Sequence, residues 1–199
     1  MKLILASNNK NKVAEFAKIL EGTGIEVVPQ SEAGCHFEVD ETGETFEENA
    51  FLKAEAAMRA TGLPAVSDDS GLEVDALGGA PGVHSARYTG NPQDTDADRR
   101  ELLMKNLQGV EHRTARFVSA ICCVFPNGDV LRARGTCEGS IATYMRGENG
   151  FGYDCMFIPE GGTRTMSEMS MEEKNVISHR GRALREFARV LKEYCHADK

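Results

Sequence analysis

Strand-length apolar runs alternate with segments of helical spacing through the first third of the chain, and this alternation constrains the fold to the α/β class. Lys2-Leu3-Ile4-Leu5-Ala6 is a short apolar run. Ser7-Asn8-Asn9 follow as turn and cap residues. Val13, Phe16, Ala17 and Leu20 then fall at i, i+3, i+4 and i+7, one face of a helix. Gly22 and Gly24 end it, and residues 25–28 read as a second strand. A second helix begins near Thr45, where Glu48 three residues on completes a capping box. Ala50, Ala54, Ala57 and Met58 give it a packed face, and Gly62 with Pro64 closes it.

The middle of the chain changes character. Residues 65–67 read as a strand that delivers Asp68-Asp69 into a loop, and residues 94–107 as a helix started by Thr95 and Asp98. Asn127-Gly128 separates apolar runs at 115–125 and 130–137, a strong hairpin signal. In the second arm Leu131, Ala133, Gly135 and Cys137 alternate with Arg132, Arg134, Thr136 and Glu138, so one face should be wet. Ser170 and Glu173 form another capping box, and the last helix aligns Leu184, Phe187, Ala188 and Leu191. A central mixed β-sheet flanked by helices, in one domain spanning 1–199, is the architecture these elements predict.

Composition removes several functions. With 41% apolar and 27% charged residues, the 199-residue chain is ordinary for a soluble globular protein. No run is long enough to cross a bilayer, and the first residues lack a basic segment and cleavage site, so a cytoplasmic protein beginning at Met1 is expected. The six cysteines form no CxxC pair, and the five histidines no HxH or HExxH cluster. The adjacent Cys122 and Cys123 read as reduced core thiols. A net charge of −8 repels nucleic-acid backbones, which disfavours a nucleic-acid polymer as partner but leaves a small polyanion open.

Val66-Ser67-Asp68-Asp69-Ser70-Gly71-Leu72 carries the most chemistry. Adjacent carboxylates are costly to desolvate unless a cation sits between them. They suit a divalent metal and a water to be activated, and a solvated acidic turn is the open alternative. Ser7-Asn8-Asn9-Lys10-Asn11-Lys12 could cradle an anion with its polar side chains and two lysines, or could simply cap the helix. Lys53 interrupts an alanine-rich helix, where it is either solvated or reaches a phosphate. Gly147-Glu148-Asn149-Gly150-Phe151-Gly152-Tyr153-Asp154 sets two aromatics among glycines, as a turn or as a platform for a flat base. Glu172-Glu173-Lys174-Asn175-Val176-Ile177-Ser178-His179-Arg180-Gly181 gathers donors at a helix junction.

Together these segments resemble one family. The resemblance rests on Ser7 to Lys12, on Glu41-Thr42-Gly43 with Phe46-Glu47-Glu48-Asn49-Ala50, and on Ser67-Asp68-Asp69-Ser70-Gly71-Leu72. It continues through Gly79-Ala80-Pro81-Gly82-Val83-His84-Ser85-Ala86-Arg87-Tyr88, Gly150-Phe151-Gly152-Tyr153-Asp154, Glu172-Glu173-Lys174-Asn175 and Ser178-His179-Arg180-Gly181. In this order they resemble the inosine/xanthosine triphosphate pyrophosphatases, from about residue 3 to the last helix.

The resemblance implies a mixed sheet with helices in two lobes, a cleft between them for substrate, and a homodimer. It implies Mg²⁺-dependent hydrolysis of ITP, dITP and XTP to the monophosphate and pyrophosphate. Ser7, Asn9 and Lys12, within the stretch that also holds Asn8, Lys10 and Asn11, would bind the triphosphate, with Lys53 helping. Glu41, Asp68 and Asp69 would hold Mg²⁺, Asp69 would accept the proton of the attacking water, and Ser70 would touch substrate beside it. Phe151 would stack on the base, with Gly152, Tyr153 and Asp154 in the same wall. Lys174, Ser178, His179 and Arg180 would recognise the base and adjoining phosphate.

Asn149, Cys155, Met156 and the methionine-rich stretch at 163–169 depart from the usual pattern without touching an implied metal ligand. Two rivals remain at this point. Maf-like pyrophosphatases favour Ser-x-Ser followed by paired arginines where this chain has Asn9 and Lys12. A nucleotide-binding module without turnover would be expected to lose a metal carboxylate or the base, and all three acids are present.

Overall fold

A computed structural model describes residues 1–36 and 38–197. Strands β1 (Lys2–Leu5), β2 (Glu26–Pro29), β3 (Ala65–Val74), β4 (Thr114–Val124), β5 (Val130–Ile141) and β6 (Phe157–Pro159) form one sheet in the order β2-β1-β3-β4-β5-β6. β1 runs parallel to β2 and β3, with Leu3 opposite Val27 and Leu5 opposite Val66, whereas β5 and β6 are antiparallel. The sheet is therefore mixed. The helices are α1 (Lys10–Ile19), α2 (Phe46–Thr61), α3 (Asp96–Asn106), α4 (Met171–Ile177) and α5 (His179–Ala197). No helix among the described residues is long and apolar enough to cross a membrane.

Contacts divide the chain into two compact units, each built from separate segments. The first comprises Met1–Asp69, Ser119–Gly135 and Arg182–Lys199. Its core packs Leu3, Leu5 and Val66 with Phe16 and Leu20 of α1, Ile121 and Cys123 of β4, and Leu184, Phe187 and Leu191 of α5. Phe16 and Phe187 meet edge to face at 6.1 Å. The α2 face is lined by Ala50, Ala54 and Ala57, all fully buried. Small side chains there let the helix lie close to the sheet.

The second unit comprises Ser70–Val118 and Thr136–Gly181. Leu72, Val74, Leu103, Leu107, Phe117, Met156 and Phe157 form its core. β5 runs from the first unit into the second and alternates as the sequence implies, with Ala133 and Cys137 buried and Arg132, Arg134 and Glu138 exposed. In the first unit Gly128 turns the chain before β5 at φ 93°, and its N–H donates to Phe125 O at 3.0 Å.

One expectation is corrected. The sequence places Asp68-Asp69 in a loop after a strand ending at Ser67, but β3 continues unbroken to Val74. β3 lies between β1 and β4, and its first residues pair with β1, Ala65 opposite Ile4 and Val66 opposite Leu5. The expectation failed because lysines from elsewhere in the chain neutralise the two acids.

Candidate functional site

In the first unit, residues after β1 position a polar cluster. Asn9 caps α1, its Oδ1 accepting from Asn11 N at 2.9 Å and more weakly from Lys12 N at 3.4 Å. Ser7 Oγ accepts from Asn9 N, and Asn8 Oδ1 accepts from Ser31 N. The capping alternative is thus realised. Those helix amides are occupied, which leaves the Asn9 Nδ2 amide group and the lysine ammoniums as the donors at this end. Lys10 and Asn11 are exposed, while Lys12 turns back to place Nζ 2.9 Å from Asp68 Oδ1.

Asp68 and Asp69 are both buried within β3. A strand sends successive side chains to opposite faces, which accounts for their separate partners. Asp68 takes Lys12 of α1, whereas Asp69 Oδ1 lies 3.1 Å from Lys53 Nζ of α2. The same ammonium is 2.7 Å from Glu41 Oε1. Burial pushes the Asp69 carboxyl above its ordinary pKa; Lys53 opposes that shift and the Glu41 charge reinforces it. Burial pulls Lys53 down, but the charges of Asp69, Glu41 and Asp68 outweigh it and the ammonium is held above its ordinary value.

Asn49, which the sequence analysis did not assign, is fully buried one helical turn before Lys53. Its Oδ1 accepts from Gly43 N at 2.8 Å and so ties down the loop that carries Glu41. A Cβ at Gly43 would come within 2.7 Å of Asn49 Oδ1 and of Glu48 Cβ, so this approach needs glycine. The i, i+4 spacing of Asn49 and Lys53 was the available signal.

The donor set suits a small divalent cation. Mg²⁺ is usually held by one or two carboxylates, with waters and phosphate oxygens completing its shell. Glu41 and Asp69 already converge on one positive charge, and Asp69 Oδ2 is buried without a hydrogen-bond partner among the described residues. The three acids are not gathered at one point, and no metal-holding group of three or more His, Cys, Asp or Glu occurs among the described residues.

In the second unit, Phe151 is 66% exposed while its neighbours are fastened. Phe151 N donates to Asp154 Oδ2 at 3.0 Å, and Tyr153 OH donates to Ser85 O at 2.8 Å. Burial raises the Tyr153 phenol, which keeps it protonated for that bond. Gly150 is tight against Asp154, where a Cβ would meet Oδ2 at 2.3 Å. Asp154 is buried and pairs with Lys174, whose Nζ also lies 5.2 Å from the Phe151 ring centre. Asp154 therefore ties the Phe151 backbone to Lys174.

Ser178 caps the end of α4 and its Oγ accepts from Gly181 N at 3.1 Å. His179 stacks on Phe117, with ring centres 4.9 Å apart and planes 17° from parallel. Arg180 is half-buried at the start of α5, and Ser70 is half-buried in β3. Asn149, one of the departures, donates from Nδ2 to Met169 O and so anchors its loop.

The sequence pattern of the Ham1 family matches residues 3–190. The chain belongs to the Ham1 family. Among Ham1-family relatives, a Desulforamulus reducens protein named dITP/XTP pyrophosphatase is 49% identical over 201 residues, with both chains fully covered. A HAM1 protein structure from Coxiella burnetii is 42% identical with a TM-score of 0.92, covering 97% of this chain and 99% of its own. A Mycobacterium abscessus structure, described as a nucleoside-triphosphatase / dITP/XTP pyrophosphatase, is 48% identical with a TM-score of 0.81. It covers 92% of this chain and 97% of its own.

Proposed function

We propose that this Ham1-family chain hydrolyses deaminated purine nucleoside triphosphates (ITP, dITP and XTP) to the monophosphate and pyrophosphate. The convergence of Glu41 and Asp69 on the Lys53 ammonium carries the reading, because it sets a carboxylate base beside a point built for positive charge. The names of the relatives support the substrate class.

Lys12, Lys53, Ser7 and Asn9 bind the triphosphate, with Asn8, Lys10 and Asn11 in the same segment. Glu41 and Asp69 would hold a divalent cation, Mg²⁺ in this reading, with Asp68 paired to Lys12. When bound, that ion supplies neutralisation of the charge growing on the departing pyrophosphate. Asp69 takes the proton of the attacking water at Oδ2, an oxygen buried without a hydrogen-bond partner among the described residues. The lysines offset charge on the leaving oxygens. Ser70 contacts substrate next to Asp69. Phe151 stacks on the base beside Gly152, Tyr153 and Asp154, while Lys174, Ser178, His179 and Arg180 read its edge and the adjoining phosphate. Donors from His179 or Arg180 to O6 reject adenine, and an unpaired C2 amino group rejects guanine, each by roughly tenfold to a hundredfold. The reading extends to a cytoplasmic homodimer; that no cysteine among the described residues is in a disulfide is in keeping with a reducing compartment.

Pyrophosphate release from XTP, ITP, dITP, GTP and ATP, with and without Mg²⁺ and in Asp69→Asn, tests it. Rapid Mg²⁺-dependent release from the first three, lost in the variant, is expected. Equal rates for ATP and ITP would defeat base selection, and ITP binding without turnover would defeat the enzyme reading.

A further inference from the structure

Gly152 separates Phe151 from Tyr153, and both of its backbone polar groups are taken by α3. Its N–H donates to Asp96 Oδ2 at 2.9 Å, and its C=O accepts from an Arg100 guanidinium nitrogen at 3.0 Å. Asp96 and Arg100 are one helical turn apart, so their side chains share a face of α3. The clamp is itself fixed. Thr95 and Asp98 form a capping box at the start of α3, and Arg99 pairs with Asp96 Oδ1 at 2.6 Å while donating to Asp94 O.

Gly152 has φ 58°, a left-handed conformation adopted at little cost by glycine, and glycine alone would leave the adjacent peptides free to swing. Two hydrogen bonds to one rigid helix, one of them to a carboxylate and one from a guanidinium, remove that freedom. Phe151 has most of its surface in solvent, and the Lys174 ammonium lies 5.2 Å from its ring centre. The backbone on either side of the ring is fastened, by Asp154 at Phe151 N and by Asp96 and Arg100 at Gly152.

We propose that Asp96 and Arg100 are positioning residues that hold the Phe151 ring in its base-stacking orientation. The proposal rests on the nucleotide reading of the site. It predicts that releasing Gly152 weakens the grip on the base and leaves the grip on the phosphates and the chemical step largely intact. Losing the benefit of one ordered base–aromatic stack corresponds to about tenfold in affinity.

The test compares wild type with Arg100→Met, Asp96→Ala and the conservative variants Arg100→Lys and Asp96→Asn. Arg100→Met keeps the apolar stem and removes only the donors. Readouts are kcat and KM for ITP, the inhibition constant of inorganic tripolyphosphate, and the thermal midpoint. The ITP KM should rise about tenfold in Arg100→Met and Asp96→Ala, with kcat changing less and tripolyphosphate inhibition unaltered. Arg100→Lys and Asp96→Asn, which keep a donor and an acceptor, should recover most of the loss. An unchanged KM in a folded Arg100→Met would overturn the proposal. So would parallel rises for ITP and tripolyphosphate, which would report general loosening. If Arg100→Met fails to fold, Asp96→Asn against Asp96→Ala decides by the same criteria. Wild-type protein that does not hydrolyse ITP at all would instead overturn the functional reading together with the clamp.

Discussion

Lys53 Nζ lies 3.1 Å from Asp69 Oδ1 across residues drawn from α2 and β3, and it is shared with Glu41 at 2.7 Å. One ammonium thus offsets the repulsion of two carboxylates that are mostly withdrawn from water. Lys53→Met should leave them facing each other and cost the metal-free protein about 1–3 kcal/mol. Added Mg²⁺ stabilises whatever binds it, and the vacated charge position should make that gain larger in the variant. Thermal melts of both proteins with and without Mg²⁺ check this; equal gains would show that the ion does not use this point. ITP turnover should fall about a hundredfold, as expected when one preorganised donor to developing charge is removed.

Gly43 offers a second handle on the same carboxylates. An added Cβ would press to 2.7 Å against both Asn49 Oδ1 and Glu48 Cβ, and its N–H bond to Asn49 would be displaced. Gly43→Ala should therefore cost about 1–3 kcal/mol, as for other overpacked sites. Because the loop carries Glu41, its activity should drop more than its stability implies at temperatures where it stays folded. Denaturant unfolding and ITP turnover, measured together, separate the two effects. An unchanged protein would mean that the loop relaxes freely.

Local chemistry was the legible part of this fold. Capping boxes at Thr45 with Glu48, Thr95 with Asp98 and Ser170 with Glu173 formed where their spacing implies, because each needs only four residues. The Asn127-Gly128 turn and the wet face of β5 followed for the same reason. The acidic pair was read correctly as costly and incorrectly as a loop. Its lysines come from α1 and α2, and no local pattern announces such pairing. Asp96 and Arg100 went unnoticed because Gly152 lies more than fifty residues away in sequence, while within α3 they resemble any solvated charges. β6 was missed too, since three residues carry no periodicity.

Acid should loosen the clamp on Gly152. The Arg99 bond, helped by the Gly152 amide and opposed by desolvation, holds the Asp96 carboxyl below its ordinary value. A carboxylate with a depressed folded pKa contributes stability that is fully present above its unfolded value of about 3.9. That contribution is lost as pH falls through the lower folded value. Thermal midpoints measured from pH 6 down to pH 3 should therefore fall less steeply in Asp96→Asn than in wild type. Superimposable acid limbs would show that this carboxylate does not contribute.

Under the proposed function, Phe151 separates binding from folding. Its ring is 66% exposed, and its fold-related bonds are made by its backbone, with N–H donating to Asp154. Phe151→Ala should therefore change stability by no more than about 0.5 kcal/mol, as for exposed positions generally. The lost stacking surface is worth about 1–3 kcal/mol per base, roughly tenfold to a hundredfold in the KM for ITP. Lys174, which lies 5.2 Å from the ring centre, keeps its pairing with Asp154 after truncation, so the loop has no reason to collapse. Phe151→Trp should retain tight binding, because a larger aromatic face preserves the interaction. Steady-state kinetics with ITP, alongside thermal melts, give the comparison; an alanine variant with wild-type KM would show that the base lies elsewhere.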